Sequence, residues 1–221
     1  MTIKNVKVKD PGSAITHFIG TLMASFAATP LLIKAARQPG KIHTISLGIF
    51  IISMILLYTA STLYHTFGKT PKIHRRLRKF DHMMIYVLIA GTYTPICLIA
   101  LGGRMGVFML ILIWSFALIG NLVTAFYINC PKWLSSVIYI AMGWTCVIAF
   151  TQLINALPKA AFGWLIAGGI IYTAGGIIYA LKLPIFNSRH TKFGSHEIFH
   201  LFVMGGSFCH FMLMYLYIAV M

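Results

Sequence analysis

Residues 44–67, Thr-Ile-Ser-Leu-Gly-Ile-Phe-Ile-Ile-Ser-Met-Ile-Leu-Leu-Tyr-Thr-Ala-Ser-Thr-Leu-Tyr-His-Thr-Phe, run for 24 positions without an Asp, Glu, Lys or Arg. A helix needs about 20 predominantly apolar residues to cross the hydrocarbon of a bilayer, so this stretch reads as one transmembrane span. Comparable runs lie on either side of it, at 15–33, 80–101, 105–128, 133–154, 160–181 and 194–221, which makes seven. The run at 15–33 is longer than the apolar core of a cleaved signal peptide and lacks a small-residue cleavage site, so it counts as a span. The fold class expected is an all-α, polytopic seven-helix membrane bundle: residues 1–13 form a tail and residues 14–221 a single membrane domain.

Composition agrees with this reading. Of 221 residues, 59% are hydrophobic and only 10% charged, and the mean hydropathy is +0.85. Ordinary soluble domains carry about a quarter charged residues, so a water-soluble enzyme is excluded. The net charge of +15 would suggest nucleic acid in a soluble protein. Here the cations fall between the apolar runs, where they set topology and meet anionic headgroups, so membrane lipids and not nucleic acid are the expected partners. Three Lys precede the first run and the six successive connections hold three, six, one, one, one and three Lys or Arg. The tail and the even connections therefore carry thirteen against five in the odd ones. By the positive-inside rule the N-terminus is cytoplasmic and the C-terminus outside. The densest group, His74-Arg75-Arg76-Leu77-Arg78-Lys79, is read as part of the second connection. The four cysteines show no spacing of a disulfide framework or a thiolate metal site.

Ionisable groups inside a membrane are costly and face the bundle interior, which makes each one a functional candidate. Asp81 and Glu197 are the only acids beyond Asp10, and each adjoins a histidine. His65 closes the second span, Asp81 opens the third, and His196 and His200 stand i, i+4 on one face near the start of the seventh. At about 1.5 Å rise per residue, His65 and Asp81 lie within ~5 Å, and His196 and His200 within ~10 Å, of the same membrane face. His210 lies ~15 Å deeper than His200 and falls outside the cluster. His17 has the right depth on the first span to neighbour it.

Three imidazoles with an open position form the ligand set of a catalytic Zn2+ site, so His65, His196 and His200 are the expected metal ligands. Asp81 would take the proton of a zinc-activated water, and Ser61, one turn before His65, would orient that water or donate to a developing oxyanion. His196-Glu197-Ile198-Phe199-His200 also matches H-E-x-x-H, which raises an intramembrane metalloprotease with Glu197 as base. Against that, Glu197 is expected to pair with Arg189, Lys192 or the cations of the second connection. A pore-forming cytolysin ranks last, because the outer half offers few polar groups beyond Asn121, Gln152 and His210.

Ser61-x-x-x-His65, Asp81-His82 followed by Ala90-Gly91-Thr92-Tyr93-Thr94-Pro95, His196-x-x-x-His200 and Thr16-His17 in the first span stand in the order found in one family. The chain resembles the hemolysin III proteins, the bacterial branch of the progestin and adiponectin receptor family, from about residue 12 onward. The resemblance implies a multi-pass protein of the bacterial inner membrane with zinc at His65, His196 and His200, and Ser61 and Asp81 beside it. It also implies kinship with alkaline ceramidases, which hydrolyse a lipid amide, and with receptors linked to membrane lipid homeostasis. Two functions follow: zinc-dependent hydrolysis of a lipid amide or ester, or a non-catalytic zinc-stabilised receptor or regulator. Where the family carries an acid and an asparagine before the Thr-His pair, this chain has Asp10-Pro11-Gly12-Ser13, and the resemblance carries no role for those residues.

The charge asymmetry predicts that a reporter fused after Met221 is active only on the outer side of the membrane. Cytoplasmic activity of that fusion would mean an even number of spans.

Overall fold

The computed structural model describes residues 8–67, 70–127, 131–181 and 194–221. Its helices are α1 (Pro11–Ala36), α2 (Ile42–Thr66), α3 (Pro71–Pro95), α4 (Gly103–Phe126), α5 (Lys132–Gly143), α6 (Phe150–Ala156), α7 (Lys159–Leu181) and α8 (Ser195–Leu216). α3 continues into a π-helical turn, Ile96–Leu101, and a 3-10 stretch, Trp144–Ala149, joins α5 to α6 as one span. Seven helical passes are long and apolar enough to cross a membrane, and no strand occurs among the described residues. The all-α, seven-span expectation therefore holds.

α1 packs on α2, α2 on α3 and α3 on α4, while α5 packs on α7, α7 on α8 and α8 back on α1, which closes the bundle. The core is built of side chains such as Phe50, Leu47, Ile113, Leu213 and Met214, all essentially inaccessible. Large apolar residues such as Phe26, Ile111, Leu118 and Phe126 point outward, as a helix surrounded by hydrocarbon requires. α7 and α8 approach closely because a glycine on each helix faces an aromatic side chain of the other. A Cβ on Gly175 would come within 2.7 Å of Phe202 Cβ, and one on Gly206 within 2.7 Å of Tyr172 Cδ1.

Two boundaries differ from the sequence reading. α1 begins at Pro11, inside the expected tail, because Pro at the first helical position has its φ preset and lacks only an N–H that would be unpaired anyway. α3 begins at Pro71, so the basic group 74–79 is helical and not a connection. Thr70 starts it, with its hydroxyl accepting from Ile73 N at 3.3 Å and Pro71 following. The third pass, Pro71–Leu101, is 31 residues long, over ~40 Å, so its basic first turns extend past a ~30 Å hydrocarbon layer. Lys79 Nζ from that segment donates to the Ala125 carbonyl in the last turn of α4, where orphan carbonyls favour a cation.

Helix irregularities within the bundle are satisfied from neighbouring helices. Pro95 stands where α3 gives way to the π turn. At the α5 break, Tyr93 Oη donates to Gly143 O at 2.6 Å and accepts from Cys146 N at 2.8 Å, pairing two backbone groups that the change of helix type frees. Tyr93→Phe removes that hydroxyl from both groups. It should lower stability by about 1–2 kcal/mol, read as a fall in the detergent melting temperature against wild type.

Candidate metal centre

His65 is the penultimate residue of α2, and His196 and His200 stand in the first two turns of α8, so chain direction alone delivers all three to the end of the bundle that carries the basic turns of α3. His65 and His200 are 2% and 1% exposed. One ligand atom from each of the three lies within 4.8 Å of the others. His65 Nε2 and His196 Nε2 are 3.2 Å apart.

Hydrogen bonds on the far side of two rings decide what the near side can do. His65 Nδ1 lies 3.0 Å from Asp10 Oδ2, so the Nδ1–H donates to the carboxylate and Nε2 keeps its lone pair. Thr16 Oγ1 gives its proton to the carbonyl of Gly12 or Ser13, at 3.1 and 3.0 Å, and stands 3.2 Å from His200 Nδ1. It therefore accepts from that nitrogen and leaves the Nε2 lone pair of His200 facing inward. Lone pairs facing one another need a cation or a proton between them. Two nitrogens bound to tetrahedral zinc at ~2.0–2.1 Å lie about 3.3 Å apart, close to the His65–His196 separation. The donor set, its burial and its outer hydrogen bonds thus fit a metal ion, and a carboxylate or hydroxyl behind each ring is the usual support of a histidine ligand.

α1 supplies that support, which the sequence reading did not anticipate. Asp10 is tied twice to the end of α2, through its carboxylate and through its N–H, which donates to His65 O at 3.0 Å. Partial burial pushes the Asp10 carboxyl up, but hydrogen bonds from His65 and Lys9 outweigh it and hold the group below its ordinary value, so it is ionised at neutral pH. His17 neighbours the cluster as expected, but by stacking face to face on His200, with centroids 3.7 Å apart, and not by a hydrogen bond. The signal for Asp10 was present: it is one of three acids in the chain, at the mouth of a span.

Glu197 departs from expectation. Its Oε1 accepts from Ser13 Oγ at 2.7 Å and its Oε2 from Gly194 N at 2.8 Å, so it caps its own helix and fastens α1 to it. Arg189 and Lys192, named as its partners from sequence, lie outside the described residues. The i+1 position turns Glu197 about 100° from His196, toward the helix N-terminus and α1.

Asp81 and Ser61, 9% and 1% exposed, are not among the three clustered ligands but line the same cavity. Asp81 Oδ2 lies 3.6 Å from His82 Nδ1. The cavity has a volume of about 620 Å³, the size of a small-molecule site. It runs from the histidines to an apolar inner part walled by Leu88, Ile89, Met109, Leu153, Leu165 and Val203.

The family model described as Haemolysin-III related matches residues 6–211. The chain belongs to the haemolysin-III-related family. It is 42% identical over 197 residues to a hemolysin-3 homolog of Bacillus subtilis (strain 168), covering 88% of this chain and 87% of that protein. To hemolysin-3 of Bacillus cereus it is 37% identical over 195 residues, 88% of this chain and 85% of that one. A distant likeness, 22% identity over 226 residues, links it to the adiponectin receptor protein of Drosophila melanogaster, of which the match covers 49%. With seven membrane-length helices and these relatives, the haemolysin-III-related chain is a multi-pass membrane protein.

Replacing His196 and His200 together by Ala should abolish binding of a divalent metal, and Asp10→Ala should weaken it about 10- to 100-fold through loss of ring orientation. His43→Ala, remote in sequence from the cluster, should leave it unchanged. Elemental analysis and metal titration of the purified variants check this ranking.

Proposed function

We propose that this protein is a zinc-dependent hydrolase of a lipid amide or ester in the bacterial inner membrane. The observation that carries the reading is the continuity of one cavity from His65, His196, His200, Asp81 and Ser61 into an apolar interior. A lipid entering it can lay its acyl chain along Leu88, Met109, Leu153 and Leu165 while its polar linkage stays at the histidines. Burying a chain there is favoured by roughly 0.8 kcal/mol per methylene group relative to water, though little relative to the bilayer. The cavity therefore selects by position and shape more than by raw affinity.

Zinc held by His65, His196 and His200 would polarise the scissile carbonyl and lower the pKa of a water toward ~7. Asp10 and Thr16 hold two of the imidazoles in the tautomer that offers Nε2. Asp81, on a different helix from all three ligands, takes the proton of the attacking water and returns it to the leaving group. Ser61, one turn before His65, donates its hydroxyl proton toward the carbonyl oxygen as negative charge develops there. Glu197 has both oxygens engaged by Ser13 and Gly194, which removes the support for an H-E-x-x-H protease.

A second reading is a receptor or regulator of membrane lipid state that zinc stabilises without turnover. It is favoured by the way the cluster joins α1, α2 and α8 and by the name of the Drosophila relative. In that case membrane lipids are ligands and not substrates.

Asp81→Asn should abolish hydrolysis of a short-chain ceramide or related acyl amide with metal content unchanged, because it removes only the base. Glu197→Gln should keep most of the activity and lose stability. Mass-spectrometric detection of released fatty acid measures both variants. Loss in Glu197→Gln with Asp81→Asn unaffected would favour the protease-type assignment, and no turnover by wild type would favour the regulator.

A further inference from the structure

The metal centre does not account for all of the histidines that line the cavity. His210 stands ten residues beyond His200 on α8 and so ~15 Å deeper, about half the ~30 Å hydrocarbon thickness. His210 is 7% exposed and lines the cavity; its Nδ1 is enclosed by protein without a hydrogen-bond partner, which leaves Nε2 as the ring nitrogen a ligand can reach. An imidazole nitrogen enclosed by protein without a partner is costly. Leu or Phe would fill the same volume without that cost.

The surroundings are built for the ring. Gly168 of α7 makes room for it, since a Cβ there would lie 2.7 Å from His210 Nε2. Tyr172 stacks on it with centroids 5.4 Å apart and planes at 24°. Tyr172 Oη shares a 2.8 Å hydrogen bond with Ser207 Oγ, which also accepts from Tyr58 Oη at 2.6 Å. Three hydroxyls thus satisfy one another behind an imidazole that is left available.

We propose that His210, backed by the Tyr172–Ser207–Tyr58 network, is a second polar subsite that receives a hydroxyl or carbonyl oxygen carried on the ligand's hydrocarbon chain. This rests on the reading that the cavity takes a lipid chain. With the polar linkage at the metal centre, the oxygen is required about 15 Å along the chain. The ligand class is then an oxygenated acyl lipid, and an unsubstituted chain leaves His210 unpaired.

The test is equilibrium binding to the purified full chain in nanodiscs, by competition against a fluorescent fatty acid. The competitors are 12-hydroxyoctadecanoic acid, whose hydroxyl lies well down the chain, and octadecanoic acid. Wild type should prefer the hydroxy acid about three- to tenfold, the value of one neutral hydrogen bond. His210→Phe should bind the two acids alike, and His210→Gln, which keeps a donor and an acceptor, should restore part of the preference. Equal binding of both acids by wild type, or a preference that survives His210→Phe, would overturn the subsite while leaving the lipid-chain reading intact. Failure of both acids to displace the probe from wild type would overturn the two together. If His210→Phe does not fold, the wild-type preference and its change in His210→Gln still decide the matter.

Discussion

An imidazole or carboxylate inside a membrane bundle is costly to leave unpaired, so most of those at the basic end are required to meet another group of the protein, His17 by ring stacking alone. That requirement organises the basic end of this bundle. Asp10 meets His65, Thr16 meets His200, Ser13 meets Glu197, and His65 meets His196. Every pair joins two different helices, so the same contacts that satisfy the polar groups also fix how α1, α2 and α8 sit against one another. Tyr93 at the α5 break is the same principle applied to backbone groups deeper in the bundle.

Because these contacts occupy the outer nitrogens of His65 and His200, they leave lone pairs directed at one small volume. Support and chemistry are therefore parts of a single arrangement: the residues that make burial tolerable also prepare the ligands. Asp81 and Ser61 share the cavity without joining the three-histidine group.

Much of this was legible in the sequence. Seven long apolar runs give the span count directly, because hydrocarbon thickness sets helix length. The placing of His65, His196 and His200 at one end follows from counting residues along alternating passes. The role of α1 was not legible, because Asp10-Pro11-Gly12-Ser13 reads as a loop until the helix is seen to start at Pro11. That Glu197 caps α8 and accepts from Ser13 was not read, because its place as the third residue of the helix is visible only once the helix is seen to start at Ser195. The basic group 74–79 looked like a connection because charge marks the end of hydrocarbon and not the end of a helix. The π and 3-10 segments depend on side chains from other helices and left no local sign beyond Pro95 and Gly143.

The central claim is that three imidazoles from α2 and α8 bind one zinc ion with a position left open. X-ray absorption at the zinc edge on purified, membrane-reconstituted protein tests it most directly. The account predicts one zinc per chain with three imidazole nitrogens at ~2.0–2.1 Å and one further oxygen neighbour. Sulfur neighbours at ~2.3 Å, or protein that retains no stoichiometric metal after purification without chelators, would contradict it.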